Sequence, residues 1–559
     1  MQKLYFFFVA SIISLSLSSQ VGITLGPYLQ SPTPGSIKIK WRTDVPTASK
    51  IMYGSSVGSL TSVAEDLNLD TIHTVKISGL SSFTKYYYAI YDGSTLVEGN
   101  DNRHWFRTNP DSGTVMPIRV WAIGDFGKGN TEQAQVRESY LNYSGNTETN
   151  VWMWMGDNVY NDGLFEEYRT KVFDSVSGYK NIMSYMPFMP CPGNHDYNSI
   201  SPVTSPKPPL QHTGPYYDIV DVPTQGEAGG VASGNELYYS YNYGNVHFIS
   251  MNSEIGSLFT AADDWTGVRL FGTFTGSQFT QWLHADLQAN RQPWVIAYFH
   301  QPPFTDGSHE STAFYEVFMK AMRVNFAPIL EQYGVDLVVC GHTHVYERSY
   351  LLNGFYGLPA DYFSQLYALD SRSGNDDLGE AYTKYTQGPN ANKGTVYVNN
   401  GNSGSKETDA NLQHPAMYYG YGCDTCVGSF VIDINGNRLD GRHVDSRGVV
   451  RDYFTIKKVD AASGVNELNS NGIISKFNVY PNPFNDRTTV SFTVETPEEI
   501  SVMMNGVDGK EILLERKSYT TGEQTIEIDA EYHHLSKGVY VVRILNSGTT
   551  LAKTVVKIK

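Results

Sequence analysis

The sequence predicts a multidomain chain with a central α/β domain, its strands drawn from two sheets, flanked by two β-sandwich modules. Three observations predict this. Between residues 116 and 455, apolar runs of strand length alternate with helical segments, as in proteins with buried parallel sheets. On either side the pattern changes to short alternating runs separated by turn clusters, the mark of half-buried strands. The chain also has 559 residues, more than one core organises; length alone suggests about three or four domains.

Composition supports packed cores. Hydrophobic residues make up 40% of the chain, with 39 tyrosines and 26 phenylalanines, an abundance that favours strands. The formal net charge of -16 repels phosphate backbones and disfavours non-specific nucleic-acid binding. It does not oppose a small phosphorylated substrate, because a local metal cluster can outweigh the global field. Residues 1–20 have the order of a secretory signal peptide: Lys3, an apolar run from Leu4 to Leu17 broken only by serines, then Ser18-Ser19-Gln20. No later stretch approaches the roughly 20 apolar residues of a membrane span, so no transmembrane helix is expected. Of the four cysteines, Cys423 and Cys426 can close a small loop disulfide in an exported protein. Cys191 and Cys340, each ending an apolar run, read as small buried hydrophobes.

The first module occupies 21–112. Ile37-Lys38-Ile39-Lys40-Trp41 and Thr74-Val75-Lys76-Ile77 alternate strictly, Tyr86–Tyr91 is rich in β-formers, and Ser31-Pro32-Thr33-Pro34-Gly35 is a turn cluster. Trp41 and the Leu80 to Tyr86 stretch resemble a fibronectin type III module. The central domain is expected at 116–455, and a Ser-, Asn- and Gly-rich linker at 456–473. The last module, 474–559, opens on Tyr480-Pro481-Asn482-Pro483-Phe484 and continues in alternating runs such as Thr488–Val494 and Val539–Ile544. With Gly538-Val539-Tyr540 and a Lys-rich end, it resembles the C-terminal sorting domain of the bacterial type IX secretion system. That resemblance implies passage across the outer membrane by the secretion machinery and a secreted or cell-surface location.

The central strand candidates are Ile118–Ile123, Val151–Met155, Met186–Cys191, Val246–Met251, Trp294–Phe299, Val335–Cys340, Thr395–Val398 and Ser429–Ile434. Residues 277–290 and 316–333 carry helical apolar stripes, and the polar stretches 199–235 and 352–392 are expected as surface loops around a site. Five of these strands finish in polar residues. Ile118–Ile123 leads to Asp125, Val151–Met155 to Asp157 and Tyr160, and Met186–Cys191 to Asn194 and His195. Trp294–Phe299 leads to His300, and Val335–Cys340 to His342 and His344. In open α/β sheets, chemistry collects at the carboxyl ends of strands. One Asp there is usually a helix cap and one His a satisfied structural residue; five such ends with metal-compatible side chains are hard to explain that way. Two carboxylates, a phenol, an amide and three imidazoles are too many donors for one tetrahedral zinc and suit two cations bridged by a carboxylate.

These blocks, Asp125-Phe126-Gly127, Gly156-Asp157-Asn158-Val159-Tyr160, Gly193-Asn194-His195-Asp196, His300 and Gly341-His342-Thr343-His344, resemble in order the motifs of the calcineurin-like metallophosphoesterases. Tyr160 in the second block resembles the purple acid phosphatase branch. The resemblance covers roughly 22–455 and implies a two-sheet αββα sandwich. It also implies a binuclear centre of Fe(III) plus a divalent Fe, Zn or Mn. Asp125, Asp157, Tyr160 and His344 would form the ferric half, and Asp157, Asn194, His300 and His342 the divalent half, with Asp157 as the bridge. His195 would face the substrate phosphate. His309, nine residues past His300, lies where plant-type members carry substrate-facing histidines. Asp196 departs from the family, many of whose plant-type members have Glu there.

The implied reaction is hydrolysis of phosphate monoesters, in which a metal-bound hydroxide attacks phosphorus and His195 and His309 assist the leaving group. The same ligand set admits a phosphodiester or nucleotide substrate. A surface adhesin with an inactive core is a further alternative, which the complete ligand set opposes. A Ser-His-Asp hydrolase is not supported, because the central domain lacks a Gly-x-Ser-x-Gly elbow.

Overall fold

The computed structural model describes residues 21–197, 214–254, 278–307, 309–388, 390–407, 412–460, 474–506, 511–546 and 550–558. The expected signal peptide at 1–20, most of the expected linker at 456–473 and part of the expected 199–235 loop lie outside these residues. Two compact units result. One comprises the chain up to Pro359 with Arg372–Tyr382 and Gly394–Lys457; the other comprises Ala360–Ser371, Thr383–Lys393 and Lys458–Lys559.

The centre of the first unit is a pair of sheets. One runs Val450–Val459, Arg438–Asp445, Gly428–Asn435, Ile118–Ile123, Val151–Met155, Phe188–Cys191. Its last three strands are parallel and the others antiparallel. The other runs Tyr239–Tyr243, Val246–Ser250, Trp294–Phe299, Leu337–Cys340, Val396–Asn400, Tyr346–Ser349, Met417–Tyr421. There the four strands from Val246–Ser250 to Val396–Asn400 are parallel. Every residue of Val151–Met155 and Trp294–Phe299 is buried, as strands covered on both faces require.

One core joins the two sheets: Trp152, Trp154 and Phe188 from the first, Phe248, Ile296, Tyr298 and Val339 from the second. Tyr239 donates a hydrogen bond from its hydroxyl to the Pro190 carbonyl at 2.8 Å, tying sheet to sheet. A second tie is ionic. Arg348, fully buried on Tyr346–Ser349, meets Asp452 of Val450–Val459 at 2.5 and 2.9 Å and also donates to the Tyr382 hydroxyl and the Ser373 carbonyl. Removing one partner of such a pair leaves a buried charge uncompensated. Arg348→Ala is therefore expected to destabilise the first unit by about 3–5 kcal/mol. Urea unfolding followed by tryptophan fluorescence reads this, and an unchanged midpoint contradicts it.

The helix Thr131–Ser144 begins where Asn130 accepts a hydrogen bond from the Gln133 backbone N–H, an N-cap, and ends at Gly145, whose φ is 55°. Residues 278–289 form the helix expected at 277–290, with Phe279, Trp282, Leu283 and Leu287 buried. The expected helix 316–333 is present as Val317–Ala321 and Ala327–Gln332, joined by a wider π-helical turn. The 352–392 stretch is not simple loop. It holds helical turns at Ser364–Tyr367 and Asp376–Leu378, and two of its pieces group with the second unit.

The N-terminal strands link into one hydrogen-bonded sheet through the long strand Ser36–Gly54, which pairs in turn with Ile23–Gln30, Ser62–Ser78 and Lys85–Asp92. Leu29, Ile37, Ile39, Trp41, Tyr88 and Phe106 fill its core. This module is packed onto the central sheets. Gln30 Nε2 donates to the Phe188 carbonyl at 3.1 Å, and the Tyr28 ring lies 6.0 Å from that of Phe188. Tyr88 donates to the Ser184 carbonyl at 2.8 Å. The strand it braces, Phe188–Cys191, is the one that leads to Asn194 and His195.

In the second unit a three-stranded and a four-stranded antiparallel sheet enclose Val490, Phe492, Val502, Met504, Ile528, Val542, Ile544 and Val555. Cys423 and Cys426 form a disulfide with Cα atoms 4.9 Å apart, and Cys191 and Cys340 are buried thiols.

Candidate metal centre

Parallel strands from both sheets end at the same place, and the loops that leave them carry the side chains singled out by the sequence. The turns are tight. Asp125, Asp157 and His342 have φ of 56°, 47° and 70°, the left-handed region that a non-glycine residue enters at a cost of about 1 kcal/mol or more. Gly156 has φ 84°, and a Cβ there would lie 2.6 Å from the His300 ring. Only glycine lets the two loops close on each other.

The donor atoms fall into two groups. In the first, the Tyr160 hydroxyl is 2.9 Å from Asp125 Oδ1 and 3.2 Å from His344 Nε2, and His344 Nε2 is 3.6 Å from Asp125 Oδ1. In the second, Asn194 Oδ1 lies 3.0 Å from His300 Nε2 and 3.1 Å from His342 Nδ1, and those two nitrogens are 3.2 Å apart. Asp157 joins the groups. Its Oδ1 is 3.3 Å from His300 Nε2, and one ligand atom from each of Asp125, Asp157 and His300 lies within 4.8 Å of the other two.

These separations test whether a metal pair suits the residues present. Cis ligands about 2.1 Å from a common cation stand about 3 Å apart, the spacing found in both groups. Proton bookkeeping agrees. The Met155 carbonyl can only accept, so His300 Nδ1, 3.0 Å away, carries the proton and Nε2 turns a lone pair inward. Among the described residues His342 Nε2 is buried without a hydrogen-bond partner and lies 3.7 Å from Glu316 Oε2, a place for that ring's proton that leaves Nδ1 as the inward lone pair. Two imidazole lone pairs and an amide oxygen then converge with no hydrogen between them. That set fits a cation.

The electrostatics are those of an anionic, desolvated pocket. Burial opposes ionisation of Asp157, yet the His300 and His195 imidazoles outweigh it and hold the carboxyl far below its ordinary range. Burial disfavours the His300 imidazolium, but Asp157 and Asp125 raise that ring to about 10; with no cation bound Nε2 therefore holds a proton, and a metal would take that proton's place on the inward lone pair. His342 is pushed down to about 4, chiefly by burial, with His300 and His309 adding to it. Burial, then Asp125 and Asp157, drive the Tyr160 phenol well upward, so its ionisation calls for cationic compensation.

The two residues expected to face substrate are at the rim. His195 is part-exposed; its backbone N–H donates to Asp157 Oδ1 at 2.9 Å, and its Nδ1 lies 2.5 Å from the Asn161 carbonyl. The His309 ring is 4.1 Å from that of His342, and its Nδ1 is 2.8 Å from Glu316 Oε1.

Sequence reasoning missed three supporting residues. Glu316 stands between His309 and His342, but at the start of a helical pattern it reads as an ordinary first-turn acid. Lys128 places its ammonium 3.3 Å from the Tyr160 ring centroid. Asp196, whose only signal is its departure from the family, is buried and accepts from the backbone N–H groups of Asn158 and Gly193 and from the Tyr168 hydroxyl. It holds the Asp157 loop against the Asn194 loop. Glu316 and Lys128 carry no sequence signal at all.

Residues 118–346 match the family model for calcineurin-like phosphoesterases, and residues 478–559 match that for the secretion system C-terminal sorting domain. A purple acid phosphatase of Glycine max is 27% identical over 345 residues, covering 59% of this chain and 65% of that protein. A phosphoenolpyruvate phosphatase of Allium cepa is 27% identical over 349 residues, covering 60% of this chain and 63% of the other. The chain thus spans slightly less than two thirds of these relatives. The solved structure of a purple acid phosphatase from yellow lupin (Lupinus luteus) seeds superposes with a TM-score of 0.56 at 16% identity, over 78% of this chain and 74% of that one, a likeness of fold.

Proposed function

We propose that this chain, which carries a calcineurin-like phosphoesterase domain and a type IX secretion sorting domain, is an exported acid phosphatase of the purple type that hydrolyses phosphate monoesters at a binuclear metal centre. The observation that carries the reading is the pair of donor groups about 3 Å across, linked through Asp157. Asp125, Asp157, Tyr160 and His344 would hold Fe(III), and Asp157, Asn194, His300 and His342 a divalent Fe, Zn or Mn. When bound, the metals supply Lewis acidity toward phosphoryl oxygens and acidify water.

The chain's own residues do the rest. The carbonyl of Met155 and the carboxylate of Glu316 keep the outward protons of His300 and His342, so that both rings present lone pairs inward. Asp125 is aimed by the His342 backbone N–H, which donates to its Oδ2 at 2.8 Å. His195, held over the Tyr160 ring with centroids 4.6 Å apart, offers a donor to a phosphoryl oxygen at the part-exposed side. Glu316 takes the Nδ1 side of His309, leaving Nε2 to hand a proton to the departing alkoxide. The sorting domain directs the chain to secretion or the cell surface, and among the described residues no helix is long and apolar enough to cross a membrane. The buried core around Trp41 supports a fibronectin type III-like module at 21–112.

A panel of monoesters, diesters and nucleotides tests the substrate class. Monoesters turned over faster than diesters support the reading, and the reverse order overturns it. His195→Ala and His309→Ala are each expected to lower kcat/KM on monoesters about 100-fold while metal content is retained, the size of a lost general acid or oriented donor. Unchanged kcat/KM in either contradicts the role given to that residue.

A further inference from the structure

We propose that Lys128 is the charge partner of the Tyr160 ring and thereby sets the colour of a ferric–phenolate pair; the inference rests on the ferric reading above. The ammonium of Lys128 lies 3.3 Å from the Tyr160 ring centroid, well inside the range of about 6 Å over which a ring's negative face attracts a cation. Lys128 is part-buried, and among the described residues its Nζ makes no hydrogen bond and no ion pair. An ammonium withdrawn from water without a hydrogen-bonding partner is unfavourable unless something else compensates it. Here the ring face supplies part of the compensation, with longer-range attraction from Asp125 and Asp157 beside it.

The placement is built into the backbone. Lys128 follows Gly127, whose carbonyl accepts from the Tyr160 N–H at 3.0 Å, so the Asp125 loop and the Asp157 loop fix ammonium and ring in one register.

The consequence is spectroscopic. The colour of a ferric phenolate arises when light moves an electron from the ring to the iron. A cation on the ring face holds that electron more tightly, so the band lies at shorter wavelength than the bare phenolate would give. Lys128→Met and Lys128→Gln remove the charge without altering any proposed ligand. In Lys128→Arg the charge remains.

The test is the visible spectrum, with iron content, of the full chain loaded with Fe(III), for the native protein and all three variants. Both neutral variants are expected to shift the band to longer wavelength by roughly 10 nm or more, the scale of a lost cation–π stabilisation set against a visible photon. Alternatively they lose the coloured state while Lys128→Arg keeps the native band, which supports the same role. A band that stays in place in the neutral variants overturns the proposal. So does loss of iron in all three variants, which would make the role structural. A native protein that binds Fe(III) without colour sinks the ferric reading and this inference together, whereas a coloured native protein with insensitive variants sinks this inference alone.

Discussion

Asp157→Asn is expected to lose both metal ions and, with them, hydrolysis. Asp157 is buried just past Val151–Met155; its Oδ1 is 3.3 Å from His300 Nε2, and one of its oxygens lies within 4.8 Å of a carboxyl oxygen of Asp125. An amide keeps the shape, so folding is preserved, but it removes the negative charge shared between two cations. The Lewis-acid contribution of such a pair is worth several kcal/mol, so phosphate release should fall by about 1,000-fold or more. Binding of each metal should weaken together, because the bridge belongs to both halves. Elemental analysis and phosphate release, measured on the same preparation, check this; retained turnover would refute the site.

Tyr160→Phe is expected to abolish visible colour while leaving the fold intact. The ring is 2% exposed and packed between Lys128 and His195, and phenylalanine fills the same volume. The lost atom is the hydroxyl, 2.9 Å from Asp125 Oδ1 and 3.2 Å from His344 Nε2. Without it the proposed ferric half would keep Asp125, Asp157 and His344. Its preference for a trivalent ion weakens by more than the roughly 10- to 100-fold that supporting residues typically contribute. The divalent half, whose donors do not include the phenol, should still load. Colour that persists in the variant would show that the band does not come from Tyr160. The Asp157 and Tyr160 substitutions therefore separate the two claims: the first removes the bridge, the second tests only the ferric phenolate.

Much of this site was legible because parallel strands leave a plain record. Val151–Met155 and Trp294–Phe299 are unbroken apolar runs, and the residues directly after each run lie at the carboxyl edge of a sheet. Less legible were the antiparallel strands. Arg438–Asp445 alternates charged residues with Leu439, Gly441, His443 and Val444, and its buried face includes glycine and histidine, so apolar periodicity understates it. Tyr346–Ser349 reads Tyr-Glu-Arg-Ser and is wholly buried, with Arg348 meeting Asp452 across the sheets, 104 residues away, and Glu347 accepting from Thr305 and Asn399. Nor does the sequence announce the left-handed backbone at Asp125, Asp157 and His342, since local preference argues against it and tertiary contacts impose it. Glu316 and Lys128 were invisible for a related reason. A carboxylate at a helix start and a lysine after a glycine are ordinary surface residues until folding places one beside His342 and the other over Tyr160. The same holds for the N-terminal module, whose grip on Phe188–Cys191 through Gln30 and Tyr28 depends on side chains unremarkable in their own strands.

The central claim is that one pocket holds two metal ions through a shared carboxylate, and metal stoichiometry tests it most directly. Elemental analysis of the purified full chain should give about two metal ions per molecule, iron among them, falling to well under one in Asp157→Asn. A native protein that holds a single ion, or an Asp157→Asn variant that keeps its full complement, would contradict it.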